Sequence, residues 1–151
     1  MPPRYRGILS KEIPVVEDEH AHVKVIAGKY KNVSGIVSDL VVKTTYLDVA
    51  LIANQTFSYK VPAHFNVFLY VFEGNITIDE HDVVGENIVV LTNDGDTVSV
   101  ETGGAPARFL LIGGEPIGEP IAWYGPMVMN TDAEIKQALE EYRNGTFVKR
   151  Q

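Results

Sequence analysis

The sequence has no cysteine, which excludes disulfides and thiolate metal sites and is compatible with a reducing compartment. It has no apolar run near the roughly 18 residues that a membrane-spanning helix needs. No basic-then-apolar leader opens it, for Met1-Pro2-Pro3-Arg4 runs into polar sequence. Basic residues are outnumbered, 13 Lys and Arg against 20 Asp and Glu, for a net charge of -7. Such a surface repels a phosphate backbone, so direct nucleic-acid binding is disfavoured and the acidity reads as solubility. Together these absences predict a soluble, cytoplasmic protein with no membrane partner.

What is present fits one domain. The chain has 151 residues and is 45% hydrophobic, enough to bury roughly two-thirds of its unfolded surface. Residues 1–14 read as an arm, punctuated by Pro2, Pro3 and Pro14, which cannot donate to a sheet ladder. Short apolar or alternating runs follow at Ala21–Ala27, Thr44–Ile52, Phe65–Phe72, Ile76–Ile78, Ile88–Leu91, Thr97–Val100 and Ala107–Ile112. Turn residues separate them: Gly28, Asn54-Gln55, Gly74-Asn75, Asp79-Glu80-His81-Asp82, Asn93-Asp94-Gly95, Gly103-Gly104 and Gly113-Gly114. Short strands at near-regular spacing argue for a β-sandwich or barrel. One helix stands out. Thr131 and Glu134 form a capping box, and Ile135, Ala138, Leu139 and Tyr142 make one apolar stripe before the Asn144-Gly145 stop. The barrel exterior is the expected surface for that stripe.

The most distinctive string is Gly114-Glu115-Pro116-Ile117-Gly118-Glu119-Pro120-Ile121-Ala122-Trp123-Tyr124-Gly125-Pro126-Met127-Val128-Met129-Asn130-Thr131. Its prolines predict an extended strap, anchored by burial of Trp123, Tyr124 and Met127 at roughly 1.5–3 kcal/mol for each aromatic. They also keep Glu115 and Glu119 off a shared helix face, so a paired acid/base role is not expected. The string resembles the segment that closes the second domain of pirins, two-domain members of the cupin superfamily. Tyr70-Val71-Phe72-Glu73-Gly74 is similar to the end of the first cupin motif. Asn93-Asp94-Gly95-Asp96-Thr97-Val98 stands where the second would lie. Ala107–Gly114 and Glu141–Phe147 extend the resemblance over nearly the whole chain, and Tyr5–Ile8 with Glu12–Pro14 resemble the linker between pirin domains. The implied fold is all-β: a cupin (RmlC-like) double-stranded β-helix or jelly-roll barrel over 15–151, with one C-terminal α-helix and a linker-like arm at 1–14.

The resemblance also defines what is missing. A metal-dependent cupin holds its ion with His-x-His, then Glu, then a later His, a set suited to iron, manganese or nickel. Counted back from Gly74, those columns hold Lys60, Pro62 and Asn66 in the register of the pirin first domain. In the register of common single cupins they hold Val61, Ala63 and Val67, and the last column holds Val98. Neither register supplies a ligand set, so no cofactor is expected and no catalytic residue is assigned. In pirins the resemblance implies a link to transcription regulation in eukaryotes, and to quercetin 2,3-dioxygenase activity through the metal-bearing half.

Alternation over 62–72 places His64, Asn66, Phe68, Tyr70 and Phe72 on one strand face and Ala63, Phe65, Val67, Leu69 and Val71 on the other. One reading puts His64, Asn66 and Tyr70 at the barrel mouth as the polar rim of a pocket, with Arg108 as an anion contact; the other is ordinary packing. Both faces are apolar, so both need cover. The expected partner is a second copy, in a homodimer, or a separately encoded metal-bearing cupin half, unless the arm and helix cover the face in cis. His20-x-His22, behind Glu17-Asp18-Glu19, is either a surface metal site or a solvated hairpin tip. His81 reads as turn chemistry. The paired glycines form no phosphate loop, and no Ser-His-Asp arrangement is visible. The function expected is a metal-free structural and interaction module; the alternative is a small-molecule binder or quercetin 2,3-dioxygenase-like enzyme using the barrel mouth.

Overall fold

A computed structural model describes residues 5–91 and 94–149, which leaves Met1–Arg4 of the arm and Asn93 of the second motif outside it. After a short 3-10 turn at Ser10–Glu12 come β1 (Val15–Glu17), β2 (Ala21–Ala27), β3 (Lys29–Tyr30), β4 (Val33–Ser34), β5 (Thr44–Leu51), β6 (Thr56–Lys60) and β7 (Asn66–Glu73). They are followed by β8 (Asn75–Ile78), β9 (His81–Val84), β10 (Asn87–Val90), β11 (Thr97–Glu101), β12 (Ala107–Gly114), β13 (Ala122–Tyr124), β14 (Met127–Met129) and α1 (Asp132–Arg143). The chain forms two compact units, Met1–Pro116 and Ile117–Gln151, so the arm groups with the strands that follow it.

The first unit is a two-layer antiparallel sandwich. One sheet has the order β1-β2-β5-β12-β7-β10 and the other β6-β11-β8-β9. Alternation does the sorting. In β2, β5, β7 and β12 the odd-numbered residues, except the terminal Glu73, are buried and the even-numbered ones half-covered or exposed. Val23, Leu47, Val49, Leu69, Val71 and Phe109 therefore meet Phe57, Ile76 and Val100 of the smaller sheet in one core. Phe109 meets Phe57 edge-on, with ring centroids 5.7 Å apart. The buried Thr102 hydroxyl donates to Ile52 O and accepts from Gln55 N–H, so the sandwich end carries no orphaned polar group there.

Gly74 turns the chain from β7, in one sheet, into β8, in the other. Its φ of +71° suits glycine, and a Cβ there would collide with the Pro106 carbonyl oxygen and lie 2.9 Å from Ala107 Cα. The glycine that ends the first motif thus marks a sheet-to-sheet corner.

The second unit is a small hairpin with a helix. β13 pairs with β14 around Gly125-Pro126, and α1 lies against both strands. The helix starts where its capping box places it: Thr131 Oγ1 accepts from Glu134 N–H, and the Glu134 carboxylate accepts from Thr131 N–H. Ile135 and Ala138 are buried, but Tyr142 is exposed, so the stripe is shorter than its sequence pattern. The anchored strap is corrected as well. Trp123, on the strand face opposite the buried Ala122, is 74% exposed, and Tyr124, at the strand end beside the Gly125-Pro126 turn, is 62% exposed.

Candidate functional site

A cavity of about 470 Å³ opens in the first unit between β7 and β10 of one sheet and β8, β9 and β11 of the other, with the segment after β6 at its rim. Its walls are apolar: Val61, Phe65, Val67, Ile78 and Val98, with the half-covered Val83, Val89 and Leu91. Its polar contributors are Asp79, His81, Asp94, Thr97 and Ser99.

His81 is where sequence reasoning missed. The β8–β9 turn is completed by Asp79 and Glu80, whose φ values of +47° and +65° match a two-residue hairpin loop. His81 therefore opens the return strand and pairs with Ile78. Its Nδ1 lies 2.7 Å from Asp79 O. A carbonyl only accepts, so Nδ1 carries the proton and Nε2 of the neutral ring is an acceptor. Nε2 has no partner among the described residues. A two-residue spacing between alternating runs was the available signal, but Asp-Glu is not among the dipeptides that announce such a turn.

The expected metal columns can now be located. Val61, Ala63, Val67 and Val98 all line this one cavity. In the other register only Pro62 and the last column, Val98, do, while Lys60 and Asn66 are elsewhere. The single-cupin register is thus the one that maps onto a common wall. Its four positions carry isopropyl and methyl groups, which cannot donate an electron pair to an ion. Among the described residues, no group of three or more His, Asp or Glu is placed to hold a metal. The donor set does not fit the ion a metal-dependent cupin carries.

The four pocket candidates do not converge on the cavity. His64 lies in the loop before β7, with its Nε2 3.7 Å from a Glu115 carboxylate oxygen and its ring edge-on to Phe65. Asn66 is exposed at the start of β7. Tyr70 and Arg108 lie on the outer face of the six-stranded sheet, because the odd-numbered face of β7 forms the core. Tyr70 stacks on Phe72. The Arg108 guanidinium sits 4.9 Å from the Phe72 ring and grips Asp48 through Nε at 2.9 Å and Nη2 at 2.6 Å. Those bonds raise its already high pKa. The guanidinium is spent on Asp48 rather than held ready for an anion.

His20 and His22 line a second, smaller cavity of about 240 Å³ together with Arg108. His22 lies within β2 on the outer face and His20 lies before that strand, each beside a glutamate: His20 Nε2 3.3 Å from Glu19, His22 Nδ1 3.7 Å from Glu17. The tip itself is organised by Asp18. Its carboxylate accepts from Lys31 Nζ and from the backbone N–H of His20 and Ala21. The Lys31 bond first, and then those two backbone bonds, lower its pKa to about 2.

A family model described as the pirin C-terminal cupin domain matches residues 46–148. The chain belongs to that family. A pirin-like protein of Arabidopsis thaliana is 35% identical over 94% of this chain and 48% of its own length. A pirin-like protein of Caulobacter vibrioides is 38% identical over 96% of this chain and 52% of its own length. A crystal structure of a quercetin 2,3-dioxygenase from Acinetobacter baumannii superposes with a TM-score of 0.87 at 30% identity, covering 97% of this chain and 51% of that one. The sandwich is therefore a cupin fold, mostly β with one C-terminal helix. The pirin-family chain spans about half the length of the curated relatives it matches.

Proposed function

We propose that this chain is a non-catalytic pirin-type cupin half, whose role is to pair with a metal-bearing cupin domain or with its own copy. The observation that carries the reading is the outer face of the six-stranded sheet. Cross-strand register lines up two apolar rows across β10, β7 and β12: Ile88–Tyr70–Leu110 and Val90–Phe68–Ile112. Phe68, Tyr70, Leu110 and Ile112 are only half-covered, and at the sheet edge Ile88 is 64% and Val90 77% exposed. An apolar face that runs to an open strand edge is the kind of surface that monomers seldom keep. The dioxygenase activity named for the Acinetobacter relative is not assigned to this chain, because the ligand positions are Val61, Ala63, Val67 and Val98.

Light scattering across a concentration range, alone and mixed with a separately expressed metal-bearing cupin domain, tests the proposal. The expected result is a dimer or a one-to-one complex, either one weakened by Ile88→Lys with Val90→Lys. A monomer in every sample would overturn it. Elemental analysis finding one iron, manganese or nickel per chain would overturn the non-catalytic half of the claim.

A further inference from the structure

We infer that the 470 Å³ cavity between the sheets is a binding site for an uncharged, largely apolar small molecule that carries a hydrogen-bond donor. The cavity opens to solvent past the exposed Pro62, Ala63, His81 and Asp94, which gives a ligand a way in. Its volume falls in the range of roughly 300–1,000 Å³ typical of small-molecule sites. The walls are buried β-branched and aromatic side chains, as such sites usually are.

The charge of the lining decides the ligand class. Asp79 and Asp94 contribute carboxylates, and among the described residues no Lys or Arg lines the cavity. A carboxylate, phosphate or sulfonate would enter a negative opening without a counter-charge, whereas a neutral molecule pays no such cost. His81 supplies the polar anchor. Its Nδ1–H is committed to Asp79 O, and the two left-handed residues before it fix the start of its strand, which leaves Nε2 as the acceptor for an incoming O–H or N–H. Of the apolar residues named on the outer sheet face, Val90 alone also lines this cavity, so pairing tested by Ile88→Lys without the Val90 change and probe binding can each fail without the other.

Two fluorescent probes with the same ring skeleton test the assignment on the full chain: neutral N-phenyl-1-naphthylamine, which carries one N–H, and anionic 1-anilinonaphthalene-8-sulfonate. The neutral probe is expected to bind saturably at one per chain, and the sulfonate at least about tenfold more weakly. Ala63→Trp, at an exposed lining position, is expected to abolish binding of the neutral probe; Ser99→Trp is the substitute if that variant does not fold. His81→Leu should weaken it about fivefold, the loss of one ordinary hydrogen bond. Trp123→Ser, in the other unit, should leave it unchanged. No saturable binding, equal affinity for the sulfonate, or binding indifferent to a filled cavity would overturn the site. Unaltered affinity in His81→Leu would overturn the role of His81.

Discussion

Gly74→Ala isolates the corner on which the cavity is built. An alanine held at φ +71° is left-handed, which costs about 1–2 kcal/mol. The stiffer unfolded chain returns about 0.4–1 kcal/mol. The new methyl also meets backbone, Pro106 O and Ala107 Cα, rather than the movable end of a side chain. Relief needs a shift of the start of β12, where Ala107 is buried, and overpacking of that kind costs about 1–3 kcal/mol. The net expectation is a loss of about 3 kcal/mol, a large fraction of the 5–15 kcal/mol typical of a domain. With an m-value of about 2 kcal/mol per molar, the urea midpoint should fall by about 1.5 M. Gly95→Ala is the control: nothing lies within 4 Å of a Cβ there and its φ is not left-handed, so its effect should stay within about 0.5 kcal/mol. Far-ultraviolet circular dichroism is the readout, because the single tryptophan reports on the second unit. Equal midpoints for the two variants would refute the corner argument.

Asp18 gives a pH prediction. Its folded pKa of about 2 lies below the ordinary carboxylate range, so its stabilisation is full above that range and fades as pH falls toward 2. Asp18→Asn should therefore be less stable than the parent near neutrality, with the gap closing in acid; urea midpoints across that range check it. Thr131→Ala removes the acceptor for Glu134 N–H and should cost about 1 kcal/mol, read as faster amide exchange in the first turn of α1. Arg108→Leu leaves the mostly covered Asp48 without its cation and should cost about 1–2 kcal/mol, discounted for the half-exposed guanidinium. Asp48→Leu with Arg108→Leu should recover most of that loss in a double-mutant cycle. Trp123 should emit as a water-exposed indole and be freely quenched by acrylamide; a protected, blue emission in the isolated chain would contradict its exposure.

The strands that sequence reasoning found are those whose inward residues are strongly apolar and regularly alternating. Ala21–Ala27 appears with its predicted bounds, and the runs at 44, 65 and 107 differ only at their ends. β6 was not legible because its main buried residue is Phe57, with polar Thr56 and Ser58 on either side. Tyr59, further along it, is placed by hydrogen bonds to Thr45 and Lys29 O rather than by full burial. The β13–β14 hairpin hid for the opposite reason. Trp123, Tyr124 and Val128 look like core in composition and are exposed in fact. The helix was readable because its signals are local: a cap, a period and a stop. The candidate site was not, since its walls come from five strands and the loops between them, scattered between 61 and 99, and its imidazole follows a turn with no standard dipeptide.

The missing ligands and the cavity have one physical origin. In the single-cupin register, Val61, Ala63, Val67 and Val98 stand where three imidazoles and a carboxylate would. Relative to that ligand set each position lacks a donor atom, and the alanine and valines are smaller than the imidazoles and carboxylate side chain they stand in for. The space that side chains and ion would share is left open, walled by carbon. A polar group restored singly at the buried Val61, Val67 or Val98 would be unsatisfied at about 1–3 kcal/mol, so those three positions favour an apolar surface. In that register the lack of donor atoms and the apolar character of the wall come from the same four side chains, and the outer face on which pairing is proposed uses none of them.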